Sequence, residues 1–293
     1  MSVAKKKRTP AKMGTPARPA WSELIKKSTY YRKTIAGELV WVPSDFDFVG
    51  EVRRIVDAAA SKNVTLRALG AVAFRIHSPG HIEVHAATGR GISDIDLAGY
   101  KKQGSEICDL MTQLGYELDK TMLLHEDRYF FADKPRGVKA DVFLDKLEMC
   151  HTIDFSQRLH LDSPTVPLEE LLLEKLQIVQ IESKDIIDVA MLLAEHPVGS
   201  DEKDAIDKAY IARLLAADWG FYYTVTTNLS KISEAVRQMP EIQQSDRDRV
   251  LDNVKLLSAE IESHPKTLGW RARARVGTRR KWYHDVSTPN LPY

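Results

Sequence analysis

Residues 89–100, GRGISDIDLAGY, place two aspartates, Asp94 and Asp96, on either side of a single isoleucine. Side chains two apart along a β-strand share one face, so the pattern predicts two carboxylates side by side. Two ionised carboxylates at that separation repel each other, and a proton or a divalent cation between them relieves the repulsion. A solvated turn at the edge of a strand would explain the same spacing. The surrounding sequence has to distinguish a cation site from a turn.

The segments on both sides of this stretch predict a sheet. Upstream, helical spacing covers residues 48–63, alternation predicts a strand over 64–69, and Gly70 then leads into a short helix over 71–76. Residues 81–88 are interpreted as a connection or short strand, and 105–116 as a helix that Gly115 ends. Downstream, RYFFAD (128–133) and VKADVFLD (138–145) flank a Pro-Gly turn and predict an antiparallel hairpin.

The second strand of that hairpin carries a third carboxylate, Asp141. If the strands of Asp96 and Asp141 are neighbours, Asp94, Asp96 and Asp141 converge at one sheet edge. Carboxylate oxygens are the ligands that Mg²⁺ prefers, and two such ions can clamp a phosphoryl group during displacement. The spacing therefore predicts a site for two Mg²⁺ ions, which Mn²⁺ could replace.

Gly70-Ala71, SDIDL (93–97) and ADVF (140–143) together resemble the polymerase-β-type nucleotidyltransferase superfamily, over about residues 45–195. The later segment 171–193 resembles the AbiEii/MenA-type toxin nucleotidyltransferases. The family's second turn residue is a Gly or Ser where this chain has Ala71, so a hydroxyl is absent, but helix-start amides remain to hold phosphate.

The resemblance implies a role for each matching residue. Asp94 and Asp96 would bind both metals, and Asp141 would bind the catalytic metal and help deprotonate the acceptor. Nucleotide-binding residues would be Gly70, Ala71, Ser93, Lys175, Asp185 and Asp188.

Two of these assignments have purely structural alternatives that the sequence leaves open. Glu174 and Lys175 could simply lie on a solvated helix face, and Asp185 could be an acidic residue favoured at a helix N-terminus. Elsewhere, His77, His81 and His85 are interpreted as surface histidines, and Arg136 and Lys139 as solvated charges near the hairpin tip. Four aromatic residues are interpreted as core: Trp219, Phe221, Tyr222 and Tyr223.

The fold class predicted is α/β (α+β), with a nucleotidyltransferase-type mixed sheet flanked by helices and a mainly helical domain after it. We expect a flexible basic arm over 1–40, a catalytic domain over 41–162, a helical domain over 163–265 and a basic tail over 266–293. Forty-two basic and forty-one acidic residues give a net charge of +1, so the overall charge of the chain does not indicate a nucleic-acid partner. Two cysteines without metal-ligand spacing and the absence of a long apolar stretch predict a cytoplasmic protein without membrane contact.

These observations predict a Mg²⁺-dependent nucleotidyltransferase that moves NMP from an NTP to an acceptor hydroxyl. RNA, for example a tRNA 3′ end, is the leading acceptor, with an antitoxin protein as a partner. Small-molecule or protein nucleotidylation is an alternative. Another is a non-catalytic nucleic-acid-binding or antitoxin-paired module that uses the basic ends of the chain.

Overall fold

The computed structural model describes residues 30–33, 39–42, 46–119, 127–199 and 204–286. Most of the predicted basic arm lies outside these ranges. Where the arm ends, Tyr30–Lys33 (β1) and Leu39–Val42 (β2) form an antiparallel pair.

Nine further strands follow along the chain. They are β3 Leu66–Leu69, β4 Ile95–Gly99, β5 Glu117–Leu118, β6 Arg128–Asp133, β7 Val138–Leu144, β8 Lys146–Glu148, β9 Thr152–Asp154, β10 Val198–Gly199 and β11 Ile206–Asp207. Five of them form a mixed sheet in the order β3-β4-β7-β6-β5. The central pair β4 and β7 is parallel, whereas β3 pairs antiparallel with β4 and β6 pairs antiparallel with both β7 and β5.

Helices flank this sheet and make up most of the chain after residue 167. They are α1 Phe48–Ser61, α2 Gly70–His77, α3 Ile82–Ala87, α4 Gly104–Gln113, α5 Leu168–Leu176, α6 Ser183–Glu195, α7 Lys208–Leu215, α8 Trp219–Gln238, α9 Gln244–Ser263 and α10 Leu268–Val276. Short 3₁₀ turns lie at Pro79–His81, Lys101–Gln103 and Gly277–Arg279. The prediction of a mixed sheet followed by a mainly helical region is confirmed, as are the β6–β7 hairpin and the strand-glycine-helix order at Gly70.

Helix α1 shows how the sequence specifies these elements. The Asp47 side chain caps its first turn by accepting a hydrogen bond from the Gly50 amide at 2.8 Å. Apolar residues at helical spacing then face the sheet, and Val52, Ile55 and Ala59 are fully buried.

The core is continuous from the sheet into the helical region. Leu97 and Val142 on the central strands belong to the same buried cluster as Leu172 on α5 and Leu192 on α6. Helix α2 packs against both α5 and α6. These contacts fix the first two helices of the helical region against the part of the sheet where Asp96 lies.

Two local predictions differ from the structure. Residues 82–87 form helix α3. Ala86 and Ala87 favour a helix, but the segment is too short for its apolar pattern to distinguish a helix from a strand. His81 and His85 are buried, since α3 and the turn before it are covered by their neighbours. Residues 268–276, within the predicted basic tail, are helical. No helix among the described residues is long and apolar enough to cross a membrane.

Candidate active site

The turn from β3 into α2 brings the backbone into contact with Asp96. Gly70 has a φ of +68°, a conformation that side chains with a Cβ rarely adopt. A Cβ added to Gly70 would lie 2.2 Å from the Asp96 Oδ2 atom. Glycine is therefore required here both for the turn and for the close approach of the carboxylate. Ala71 follows as the second residue of α2.

Two of the three predicted aspartates are direct neighbours across the parallel pair. Asp96 on β4 is in register with Asp141 on β7, so both side chains leave the same face of the sheet. Asp94 lies just before β4 and accepts a hydrogen bond from the Ser93 hydroxyl at 2.9 Å. The predicted adjacency of the two strands is confirmed.

The negative charge on this face of the sheet is concentrated around Asp96. Burial raises the pKa of Asp96 well above its ordinary value, and the nearby carboxylates of Asp94, Asp141 and Glu174 raise it further. The Arg128 guanidinium opposes this shift only in part. Such a carboxylate is stabilised in its ionised form by an added cation.

Arg128 from β6 supplies part of the positive charge that these carboxylates require. Its guanidinium donates to Asp141 Oδ2 at 2.6 Å and lies over the rings of Phe130 and Phe143, 4.5 and 4.4 Å from the two centroids. Among the residues that the structure describes, no group of three carboxylate, histidine or cysteine side chains is arranged to hold a metal ion. The ion pair engages one oxygen of a predicted ligand, so Arg128 competes with a cation for the Asp141 carboxylate.

A second charged group lies where α5 and α6 meet. The Lys175 ammonium is 3.3 Å from Glu174 Oε1, 3.4 Å from Asp185 Oδ1 and 3.8 Å from Asp188 Oδ2. The three carboxylates are buried and the Lys175 side chain is only 13% exposed, which excludes the solvated helix face as an explanation for Glu174 and Lys175. Asp185 also completes a capping box with Glu182 at the start of α6, as its helix-terminus interpretation requires.

Glu174 links the two groups. Its Oε2 atom accepts a hydrogen bond from the Gly70 amide at 2.9 Å while its Oε1 atom faces Lys175. The first amide of α2, predicted to hold phosphate, is therefore occupied by a carboxylate. Glu174 fixes the Gly70 turn and, through it, the position of Asp96.

A cavity of about 300 Å³ has Ser93, the residue before Asp94, in its wall, and none of the three aspartates lines it. Arg90 enters this cavity and pairs with Asp188 through two hydrogen bonds of 2.8 and 2.6 Å. The lining residues are Thr88, Gly89, Arg90, Gly91, Ser93, Ser183, Lys184 and Ile187. The cavity thus joins the residues just before the aspartates to the start of α6, and it carries hydroxyl groups and two cationic side chains.

The structure brings the predicted residues together in two linked sets. Asp96 and Asp141 share one face of the sheet next to Gly70, with Asp94 and Ser93 just before β4, and Lys175, Asp185 and Asp188 share the α5–α6 junction. Their roles stay predictions.

Four further residues of this region were missed in the sequence: Arg90, Arg128, Glu174 and Lys184. Arg90 and Glu174 adjoin predicted motifs, but nothing in a single sequence shows that an arginine will reach Asp188 or that a glutamate will cap Gly70. Arg136, interpreted as a solvated charge, is 37% exposed and also donates to Glu51 and Asp133.

The chain matches no protein-family model and no curated protein. Among solved structures, it is similar to the crystal structure of ANT(2″)-Ia in complex with adenylyl-2″-tobramycin, with a TM-score of 0.33 and 15% sequence identity. The similarity covers 49% of this chain and 86% of that chain.

Proposed function

We propose that the protein is a metal-dependent nucleotidyltransferase of the polymerase-β type, which transfers NMP from an NTP to an acceptor hydroxyl. The observation that carries the proposal is the register of Asp96 with Asp141 on neighbouring parallel strands, with Asp94 two residues earlier and Gly70 pressed against Asp96. Carboxylates gathered so that they raise the pKa of a neighbour are typical of functional sites.

The donor atoms fit Mg²⁺ or Mn²⁺, both of which prefer carboxylate oxygen. Asp94 and Asp96 would hold the cation, and Asp141 would join them once Arg128 releases its carboxylate. A bound cation supplies charge neutralisation for the carboxylates and for the phosphates. The released Arg128 guanidinium then becomes available to a phosphate or to the acceptor.

The cavity lined by Ser93 is the proposed nucleotide site. Ser93, whose hydroxyl donates to Asp94, would turn to a phosphate oxygen. Arg90 and Lys184 line the same space and are paired with Asp188 and Glu182, so a phosphate would compete with these carboxylates for them. Lys175 is surrounded by three carboxylates, so we assign it and the acidic pair Asp185 and Asp188 to positioning Arg90 and α6 at the wall of this pocket.

The reaction follows from this arrangement. The acceptor hydroxyl oxygen attacks the α-phosphorus of the NTP and forms the new P–O bond. The bond from the α-phosphorus to the bridging oxygen breaks, and pyrophosphate leaves with its electron pair. The carboxylate of Asp141 takes the hydroxyl proton. Most of the rate enhancement would come from alignment and charge neutralisation.

We favour RNA, such as a tRNA 3′ end, as the acceptor, which would make the protein toxin-like with an antitoxin as partner. Small-molecule or protein nucleotidylation uses the same chemistry and is the enzymatic alternative. A binding module without turnover is the non-enzymatic one, and its RNA affinity would not depend on the aspartates.

The test is incubation of the protein with Mg²⁺ or Mn²⁺ and each α-labelled NTP in turn, with total RNA present. We expect label in RNA from one preferred NTP, and its loss in Asp96→Asn and Asp141→Asn. Asp57→Asn is the matched control, because Asp57 is an exposed carboxylate on α1. Label in the protein itself or in a small molecule would replace RNA as the acceptor. No label with any NTP, together with no NTP binding by calorimetry, would contradict the proposal.

A further inference from the structure

Helix α10 is an ordered element that lies almost entirely outside the core. None of its residues is buried, and its first residue, Leu268, is 82% exposed. Four exposed arginines lie on this helix and the turn after it, and we call them the α10 arginine surface: Arg271, Arg275, Arg279 and Arg280.

Specific contacts hold α10 in place without using the side chains of these four arginines. The Thr267 hydroxyl caps the helix by accepting from the Trp270 amide at 3.1 Å, and the Trp270 ring meets Tyr222 edge-on at 5.0 Å. Arg273 turns inward and donates to the carbonyl oxygens of Gly277 and Arg280, each at 2.7 Å. The helix is therefore anchored on one side and presents arginine on the other.

The charge of this surface is not balanced locally. Among the described residues, none of the four arginines forms an ion pair, whereas Lys281 pairs with Asp285. Asp285 is the only acidic residue within 264–286, although acidic and basic residues nearly balance over the whole chain. Like charges at this spacing repel each other, so the cluster does not stabilise the fold.

We propose that the α10 arginine surface binds the phosphate backbone of RNA. Arginine is suited to phosphate because its planar guanidinium offers paired donors. Half-buried aromatic side chains lie next to the cluster at Trp282 and Tyr283, and Tyr283 is a candidate to stack on an unpaired base. The geometry disfavours a membrane, since the exposed large apolar side chains of α10, Leu268 and Val276, lie at its opposite ends and form no apolar face.

The surface is connected to the candidate active site. Helix α10 packs on α8, and α8 packs on α5 and α6, the helices that carry Lys175, Asp185 and Asp188. RNA bound at α10 would be the acceptor, or part of it, only if the proposed function holds; the binding itself does not depend on it.

The experiment measures binding of a fluorescently labelled single-stranded RNA to the full chain by anisotropy, in EDTA and without NTP, from about 50 mM to about 200 mM salt. The test variant combines Arg271→Gln, Arg275→Gln, Arg279→Gln and Arg280→Gln. The control removes the same charge from exposed positions on other elements: Arg53→Gln, Lys102→Gln, Arg237→Gln and Lys255→Gln. Thermal melts confirm that both variants are folded.

We expect the test variant to lose more than about tenfold in affinity, and the slope of log affinity against log salt to fall by about 3, or roughly 0.7 for each phosphate contact removed. The control should change affinity less than about twofold. Equal losses in both variants, no loss in the test variant, or no RNA binding by the unaltered chain would each overturn the proposal. Binding to anionic vesicles or to an acidic polypeptide but not to RNA would overturn it as well. Because no nucleotide is present, these outcomes are separate from any failure of NMP transfer.

Discussion

At the scale of single residues, Gly70 sets the position of Asp96. We expect Gly70→Ala to lower the free energy of unfolding by on the order of 1–2 kcal/mol, because alanine is strained at a φ of +68°. We also expect NMP transfer to fall by about 100-fold, since the new Cβ displaces the Asp96 carboxylate. Chemical denaturation and the labelling assay measure the two effects.

Gly115→Ala is the control that separates backbone strain from displacement of the Asp96 carboxylate. Gly115 has a φ of +95°, but the nearest atom to an added Cβ is 3.8 Å away, on the Asp133 side chain. It should lose stability and keep its activity. Equal activity losses in both variants, measured where both are folded, would show that the contact with Asp96 is irrelevant.

Arg128 is the residue that competes with a cation for Asp141. Removing its charge in Arg128→Gln should strengthen Mn²⁺ binding by about fivefold, because a partly exposed ion pair is worth about 1 kcal/mol. Calorimetric titration of Mn²⁺ without nucleotide measures this. Arg128→Lys, which keeps the positive charge, should bind Mn²⁺ nearly as the unaltered chain does. Weaker Mn²⁺ binding by Arg128→Gln would mean that the arginine does not compete for this site.

The spacing of Asp94 and Asp96 is visible in the sequence, but the groups around them are not. Asp94 lies just before β4, so strand periodicity does not place it on the face of Asp96, and the joint role of the two residues stays a prediction. Arg128, Glu174 and Arg90 act across the fold, so their contacts depend on strand order and helix packing that no local pattern encodes. This is also why burial of Lys175 could not be predicted, since its own helix is compatible with a solvated face.

At the scale of elements, Glu51 ties helix α1 to the β6–β7 hairpin. It accepts hydrogen bonds from Arg54, from Arg136 and, at 2.7 Å, from the Tyr116 hydroxyl. Burial acts to raise the pKa of Glu51, but the two arginines and Tyr116 outweigh it and lower the pKa to about 2. The ionised carboxylate is thus favoured by the folded state.

This lowered pKa predicts a pH dependence of stability. The contribution of Glu51 is complete above its ordinary pKa of 4.5 and is lost as the pH falls towards about 2. Glu51→Gln should therefore cost on the order of 2 kcal/mol at neutral pH, and the difference from the unaltered chain should shrink steadily below about pH 4.5. Urea unfolding across this range measures it. Asp57→Asn, exposed on the same helix, should show no such trend, and a Glu51→Gln difference constant with pH would refute the assignment.

The elements best predicted from sequence were those with long or bounded patterns. The β6–β7 hairpin has a Pro-Gly turn between two apolar strands, and α9 repeats its apolar positions over twenty residues. Helix α3 has six residues, too few for a helical period to show. Helix α10 buries nothing, so it has no apolar face to reveal it, and what fixes it is the contact of Trp270 with Tyr222.

At the scale of the whole molecule, the sheet and the helical region share one core. The predicted boundary near residue 162 follows from the change in sequence texture, and it stays a prediction. Two sets of contacts cross this boundary. Helix α2 packs on α5 and α6, and the Gly70 amide donates a hydrogen bond to Glu174. Separating the two regions would expose Leu172 and Leu192, which are fully buried, and would leave charged groups at the α5–α6 junction without their partners.

We therefore expect the chain to unfold in one cooperative transition. Scanning calorimetry should give a single peak whose calorimetric enthalpy equals the van't Hoff enthalpy, because neither region keeps its core without the other. Glu174→Ala tests the coupling, since it removes the hydrogen bond to Gly70 and the closest carboxylate to Lys175. It should lower the midpoint of the whole transition and leave it single. Two resolved peaks in the unaltered chain, or a shift of only one of them in Glu174→Ala, would show that the regions unfold independently and that the site lies between separable domains.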